Sequence, residues 1–106
     1  MSKDLLAKHY DEVVSKTWNY AHRCETERDH TTNAVLGLVG EAGEVADAHK
    51  KLWFHAPKDR LHDIKLELGD VLYYQSKLHN IYGVTMEELL AMNKAKLFER
   101  YEVISI

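Results

Sequence analysis

The sequence predicts an all-α fold, a four-helix bundle formed as a single domain over residues 1–106. Three observations predict it. Apolar residues recur at spacings of three and four along most of the chain, while the alternation of a β-strand is essentially absent. Helix start and stop signals punctuate the chain at intervals suited to helices. The single proline, Pro57, falls between two periodic segments and not inside one.

The first helix is expected from about Lys3 to Glu27, with Leu5, Leu6, His9, Val13, Trp18 and Ala21 on its apolar stripe. A break near Asp29-His30-Thr31-Thr32 supplies N-cap residues for a second helix running to about Phe54. Pro57 and its neighbours form the next connection, and Asp59 is placed to cap a third helix ending at Tyr82. Gly83 is its stop signal. Thr85-Met86-Glu87-Glu88 reads as a capping box for a fourth helix that reaches about Tyr101. Short connections make neighbouring helices antiparallel. A thin layer of four helices leaves more apolar surface than it can bury, so a homo-oligomer is expected, with a dimer as the minimum.

The chain is long enough for one domain and not two. Its net charge of −3 provides no broad basic field, so no nucleic acid partner is expected. No apolar run approaches membrane-spanning length, and the start Met1-Ser2-Lys3-Asp4 has no signal-peptide pattern. The lone Cys24 cannot form an internal disulfide. A soluble, cytoplasmic protein with no membrane partner is the expectation.

Two acidic pairs carry the chemistry. Glu41-Ala-Gly-Glu44 lies on the second predicted helix and Glu67-Leu-Gly-Asp70 on the third. A three-residue spacing puts both members of a pair on one helix face. Acid-x-x-acid alone is common on solvated faces, but these pairs sit among Leu36, Leu38, Val39, Val45, Leu66, Leu68, Val71 and Leu72. Bare carboxylates in apolar surroundings are costly. A hard divalent cation held by oxygen ligands, most often Mg²⁺, would pair them. Between Glu44 and Glu67 lie 22 residues, enough for a helix end, a turn and a return that brings the pairs together. Four of the five glycines, Gly37, Gly40, Gly43 and Gly69, fall inside these two helices. They point to close backbone approach or to a site that needs room, with tight helix packing as the plainer explanation.

Asn93, Lys96 and Arg100 stand at i, i+3 and i+7 on one face of the fourth helix, a stripe suited to phosphate. Cations near a helix C-terminus are favoured in any case, so the stripe gains meaning only beside the acidic motifs. Lys51, two turns beyond Glu44, is a further phosphate candidate. Trp18, Trp53, Tyr73 and Tyr74 offer rings on which a base can stack. Tyr74, one turn beyond Asp70, is the best placed of them. The histidines show no zinc spacing, and His49, His55, His62 and His79 are expected at the surface or in caps. No P-loop and no Gly-x-Ser-x-Gly motif occurs.

The segments Gly37-Leu38-Val39-Gly40-Glu41-Ala42-Gly43-Glu44-Val45-Ala46-Asp47 and Glu67-Leu68-Gly69-Asp70-Val71-Leu72-Tyr73-Tyr74 resemble the MazG-type all-α nucleoside triphosphate pyrophosphohydrolases. Asn93-Lys94-Ala95-Lys96-Leu97-Phe98-Glu99-Arg100-Tyr101 resembles the family's terminal Asn-x-x-Lys-Leu-x-x-Arg-Tyr. Asn33-Ala34 also fits, and the likeness runs from about Thr17 to Tyr101. Glu102 departs from it, standing where a proline often follows, and so does Lys94 at a position usually apolar.

The resemblance implies hydrolysis of a nucleoside or deoxynucleoside triphosphate between its α- and β-phosphates. The products are the monophosphate and pyrophosphate. Mg²⁺ is the implied cofactor, with Mn²⁺ as a substitute, and the assembly is a homodimer or homotetramer. Glu41, Glu44, Glu67 and Asp70 would be metal ligands, with Glu41 the preferred general base. Asn93, Lys96 and Arg100 would contact phosphate, and Asn33 would lie near the nucleotide pocket. The rival readings are a non-catalytic helical dimerisation module, a nucleotide sensor, and an enzyme specialised for one deoxynucleotide or for a modified or alarmone nucleotide.

Overall fold

The computed structural model describes residues 2–21, 23–54 and 60–105. Among them are five helices and no strand: α1 (Lys3–Lys8), α2 (Tyr10–Ala21), α3 (Glu27–Phe54), α4 (Arg60–Tyr82) and α5 (Met86–Arg100). The all-α class is as the sequence predicts. Pro57, and Asp59 as a cap, lie outside the described residues, as does His55.

The single first helix expected over Lys3–Glu27 is instead two. Ser2 caps α1, its Oγ accepting from Leu5 N–H at 3.2 Å. The chain leaves helical geometry at His9, whose N–H is shared between the carbonyls of Leu5 and Leu6. The start of α3 also lies earlier than expected, because Thr26 and Asp29 form a reciprocal cap. Thr26 Oγ1 accepts from Asp29 N–H at 3.1 Å, and the Asp29 carboxylate accepts from the N–H groups of Thr26 and Glu25. This capping box claims residues that the periodic pattern assigned to the preceding helix.

The stop at Gly83 holds. Gly83 has φ +67, Val84 N–H donates to His79 C=O at 3.0 Å, and Gly83 N–H donates to Asn80 C=O at 3.4 Å. This is a Schellman closure, which needs a left-handed residue at that position. Thr85 then caps α5, accepting from Glu88 N–H at 3.1 Å. A second Schellman closure ends α5, with Glu102 at φ 55 in the left-handed position. Proline is locked near −65° and has no N–H to donate, so Glu102 is compatible with this ending and proline is not.

Among the described residues α3 and α4 pack along one another, α2 packs on α4, and α5 has no extended packing against another helix. The apolar core of the described residues comprises Val14, Trp18, Ala34 and Ala48. Of the stripe expected on the first helix Trp18 is buried, but Leu5 and Leu6 on α1 and Val13 on α2 are exposed, and Val14 is buried in place of Val13. Trp18 is fully buried and donates its Nε1–H to His30 Nδ1 at 2.9 Å. Its ring packs against Tyr73 and edge-on to Tyr74, with the Lys77 ammonium 5.1 Å from the ring centre. His79, expected at the surface or in a cap, has a buried side chain 3.2 Å from the Gln75 amide nitrogen, while its carbonyl takes part in the closure that ends α4. The radius of gyration is 16.6 Å, against about 13 Å for a compact chain of this length. No helix among the described residues is long and apolar enough to cross a membrane.

Candidate functional site

Contacts of Gly37 with Tyr74 and of Glu41 with Glu67 and Asp70 run in opposite chain directions, so α3 and α4 are antiparallel. That pairing brings one carboxylate oxygen from each of Glu41, Glu67 and Asp70 within 4.8 Å of one another. Glu41 and Glu67 are partly buried and Asp70 is exposed. Partial burial, then the charge of Asp70, then Glu67 and finally Glu44 hold the Glu41 carboxyl above its ordinary value. The three acids have no cationic side chain within ion-pair distance among the described residues. Oxygen donors of this kind, gathered without a counter-charge, match the preferences of a hard divalent cation.

The other candidates are distributed unevenly. Glu44 is exposed and lies outside the three-carboxylate cluster, although its charge is felt at Glu41. Lys51 is paired on its own helix with Asp47, Nζ to Oδ2 2.8 Å, which raises the pKa of its ammonium. Asn33 is partly buried two turns before Glu41, its Nδ2 directed at Cys24 Sγ at 3.8 Å. Asn93, Lys96 and Arg100 are exposed on α5. Among the described residues α5 has no extended packing against another helix, and neither Lys96 nor Arg100 is ion-paired with the clustered acids.

Tyr74 is partly buried beside the cluster. Burial, and after it the charge of Glu41, then Tyr73 and Asp70, push its phenol up. Tyr73 shares a 2.9 Å hydrogen bond with Thr17, and Trp18 is enclosed in the core. Trp53, edge-on to His49 at the end of α3, is exposed. Tyr10 was not a candidate from sequence, yet its phenol is pushed up by burial and then by Tyr73 and Asp70. The signal for it is faint: Tyr10 stands four and eight residues before Val14 and Trp18, the buried positions of α2. A cavity of about 720 Å³ lies between α1, the start of α2, α4 and the start of α5, with Leu6, Tyr10, Ser76, His79 and Met86 in its lining. Its lining contains none of the clustered acids, although Tyr10 in that lining feels the charge of Asp70.

Comparison with known proteins connects this geometry to a family. The family model of the MazG nucleotide pyrophosphohydrolase domain matches residues 29–104. The match takes in nearly all of α3 and the whole of α4 and α5, so it includes both acidic motifs and the terminal basic stripe. The chain is 36% identical over 70 residues to the Gene 37 protein of Mycobacterium phage L5. That stretch covers 62% of this chain and 61% of the phage protein, so less than two thirds of the relative's length is represented. No solved structure matches the chain. The acid-bearing helix pair and the span of the family match agree, and the chain belongs to the MazG nucleotide pyrophosphohydrolase domain family.

Proposed function

We propose that the protein hydrolyses nucleoside or deoxynucleoside triphosphates to the monophosphate and pyrophosphate, with Mg²⁺ as cofactor and Mn²⁺ able to replace it. The observation that carries this reading is the cluster of Glu41, Glu67 and Asp70 oxygens within 4.8 Å. These three would hold the metal, and Glu44 would join them by a rotamer change or through water. When bound, Mg²⁺ supplies positive charge to the phosphate oxygens and lowers the pKa of water. Glu41, held above its ordinary pKa, is the general base that takes the proton from the attacking water. Attack at the α-phosphorus breaks its bond to the bridging oxygen, and pyrophosphate leaves. With Mg²⁺, pyrophosphate is the expected first product. Undiminished turnover in excess EDTA, or orthophosphate released first, would overturn the chemistry. A non-catalytic dimerisation module would show neither turnover nor metal-dependent stability.

The functional unit is a homodimer or homotetramer. Leu36 and Val39 on α3 and Leu90 and Met92 on α5 are all more than 60% exposed, a pattern expected of surfaces that a second copy covers. The lack of extended packing of α5 against the other described helices supports the stripe of Asn93, Lys96 and Arg100 serving the triphosphate of a neighbouring subunit. Arg100→Ala should weaken transition-state stabilisation by about 1.5–3 kcal/mol, the range for a hydrogen bond to a charged group. This corresponds to a roughly ten- to hundred-fold loss in kcat/KM, nearly uniform across bases. Mixing Arg100→Ala with Asp70→Asn protein should restore part of the activity if the stripe acts between subunits. No restoration in mixed oligomers would place both groups in one chain.

A further inference from the structure

Resting on the reading of the acidic cluster as a metal site, we infer that the contact between Gly37 and Tyr74 is the spacer that holds the three carboxylates at metal-binding separation. Gly37 stands one turn before Glu41 on α3, and Tyr74 one turn beyond Asp70 on α4. A Cβ added at Gly37 would fall on the ring carbons of Tyr74, so the ring lies directly on the α3 backbone. The other helical glycines differ: a Cβ at Gly40, Gly43 or Gly69 would meet open space. Gly37 is therefore the helical glycine whose missing side chain lets α3 and α4 approach.

The ring is itself immobilised. It is edge-on to Trp18 with centroids 5.9 Å apart, and edge-on to Tyr73 at 5.3 Å. Trp18 is fully buried and tied to His30 on α3. A substituted Gly37 cannot be accommodated by a small swing of Tyr74 without disturbing this aromatic group. The helices must separate instead, and the oxygens of Glu41 on one side and of Glu67 and Asp70 on the other separate with them. Tyr74 is then a positioning residue, acting on the metal ligands through the helix pair and not only through a contact with substrate. Groups that orient metal ligands from outside the coordination sphere typically change metal affinity by about 10- to 100-fold when altered.

The test is a double-mutant cycle with Mn²⁺ as the probe, its affinity measured by calorimetry without nucleotide and helix content followed by circular dichroism. Gly37→Ala should weaken Mn²⁺ binding at least about tenfold while helix content is kept or raised. In a Tyr74→Ala background the same Gly37→Ala change should have little further effect, because the atoms it strikes are gone. Equal Mn²⁺ affinity in wild type and Gly37→Ala would overturn the spacer while leaving the metal site standing. So would an equal loss in both backgrounds, the mark of independent sites. If Gly37→Ala loses its helix content, the Tyr74→Ala pair decides: recovery of fold, with the Mn²⁺ affinity of Tyr74→Ala alone, supports the spacer, and failure to recover rejects it. Wild-type protein that binds no Mn²⁺ would overturn the metal reading and the spacer with it.

Discussion

Glu41→Gln and Asp70→Asn are expected to remove most turnover while leaving the metal-free protein melting at or above the wild-type temperature. Three carboxylates gather within 4.8 Å without a described cationic partner, so they repel one another when ionised in the absence of metal. Neutralising one relieves that repulsion and, on the proposed reading, removes a metal ligand as well. The pH dependence has a definite sign. The Glu41 carboxyl is held above its ordinary value of 4.5 in the folded protein, by burial first and by Asp70 next. A raised carboxyl favours the folded state at low pH, and that contribution is lost as pH rises through the folded-state value. The metal-free wild type should therefore lose stability as pH rises above about 4.5, and Glu41→Gln should flatten that slope. Added Mg²⁺ should raise the wild-type melting temperature by mass action and have much less effect on either variant. Thermal melts from pH 4 to 8, with EDTA or Mg²⁺, check each part. A marked drop in metal-free melting temperature with activity retained would identify the acids as structural.

Trp18→Ala should cost about 3–5 kcal/mol, the range for deleting a buried large aromatic. Domains of this size commonly have only about 5–15 kcal/mol in total, so the variant should be largely destabilised even if it folds. The reason lies in how few residues are fully enclosed: Trp18 and Val14 are the largest such side chains, and Trp18 touches α3 through His30 and α4 through Tyr73 and Tyr74. Trp18→Phe keeps most of the ring but removes the Nε1–H that His30 accepts. Its cost should be near the roughly 1–3 kcal/mol of a polar group left unpartnered. Urea midpoints at one fixed protein concentration separate the two variants, since the proposed homo-oligomer would make stability concentration-dependent. Equal midpoints for Trp18→Ala and wild type would mean that the aromatic cluster does not hold α2 to the helix pair.

The helical class, the closure at Gly83, the cap at Thr85 and the end of α5 were legible in the sequence because each depends on residues within a few positions of one another. The family resemblance was legible for a similar reason, since its motifs are short and keep their order along the chain. The split of the first helix and the early start of α3 were harder, although the Thr26–Asp29 cap is itself local. A continuing apolar period masked it, and periodicity can assign the wrong end to a helix when a capping box lies inside the pattern.

Other features were decided only by packing between distant segments. Helical periodicity on α2 fits either Val13 or Val14 facing inward, and the position of Tyr73 and Tyr74 selects Val14. Equal spacing made Glu41 and Glu44 equivalent on paper, but the crossing of α3 over α4 draws Glu41 to Glu67 and Asp70 and leaves Glu44 outside the cluster. Four helical glycines looked alike until Tyr74 was found on Gly37. The chain by itself determined which helices form and which acids they carry, because these follow from local hydrogen bonds and periodic burial. The tertiary structure alone decided which acids meet and that α5 has no extended packing against the other described helices, because helix rotation and approach are set by contacts between residues far apart in the chain.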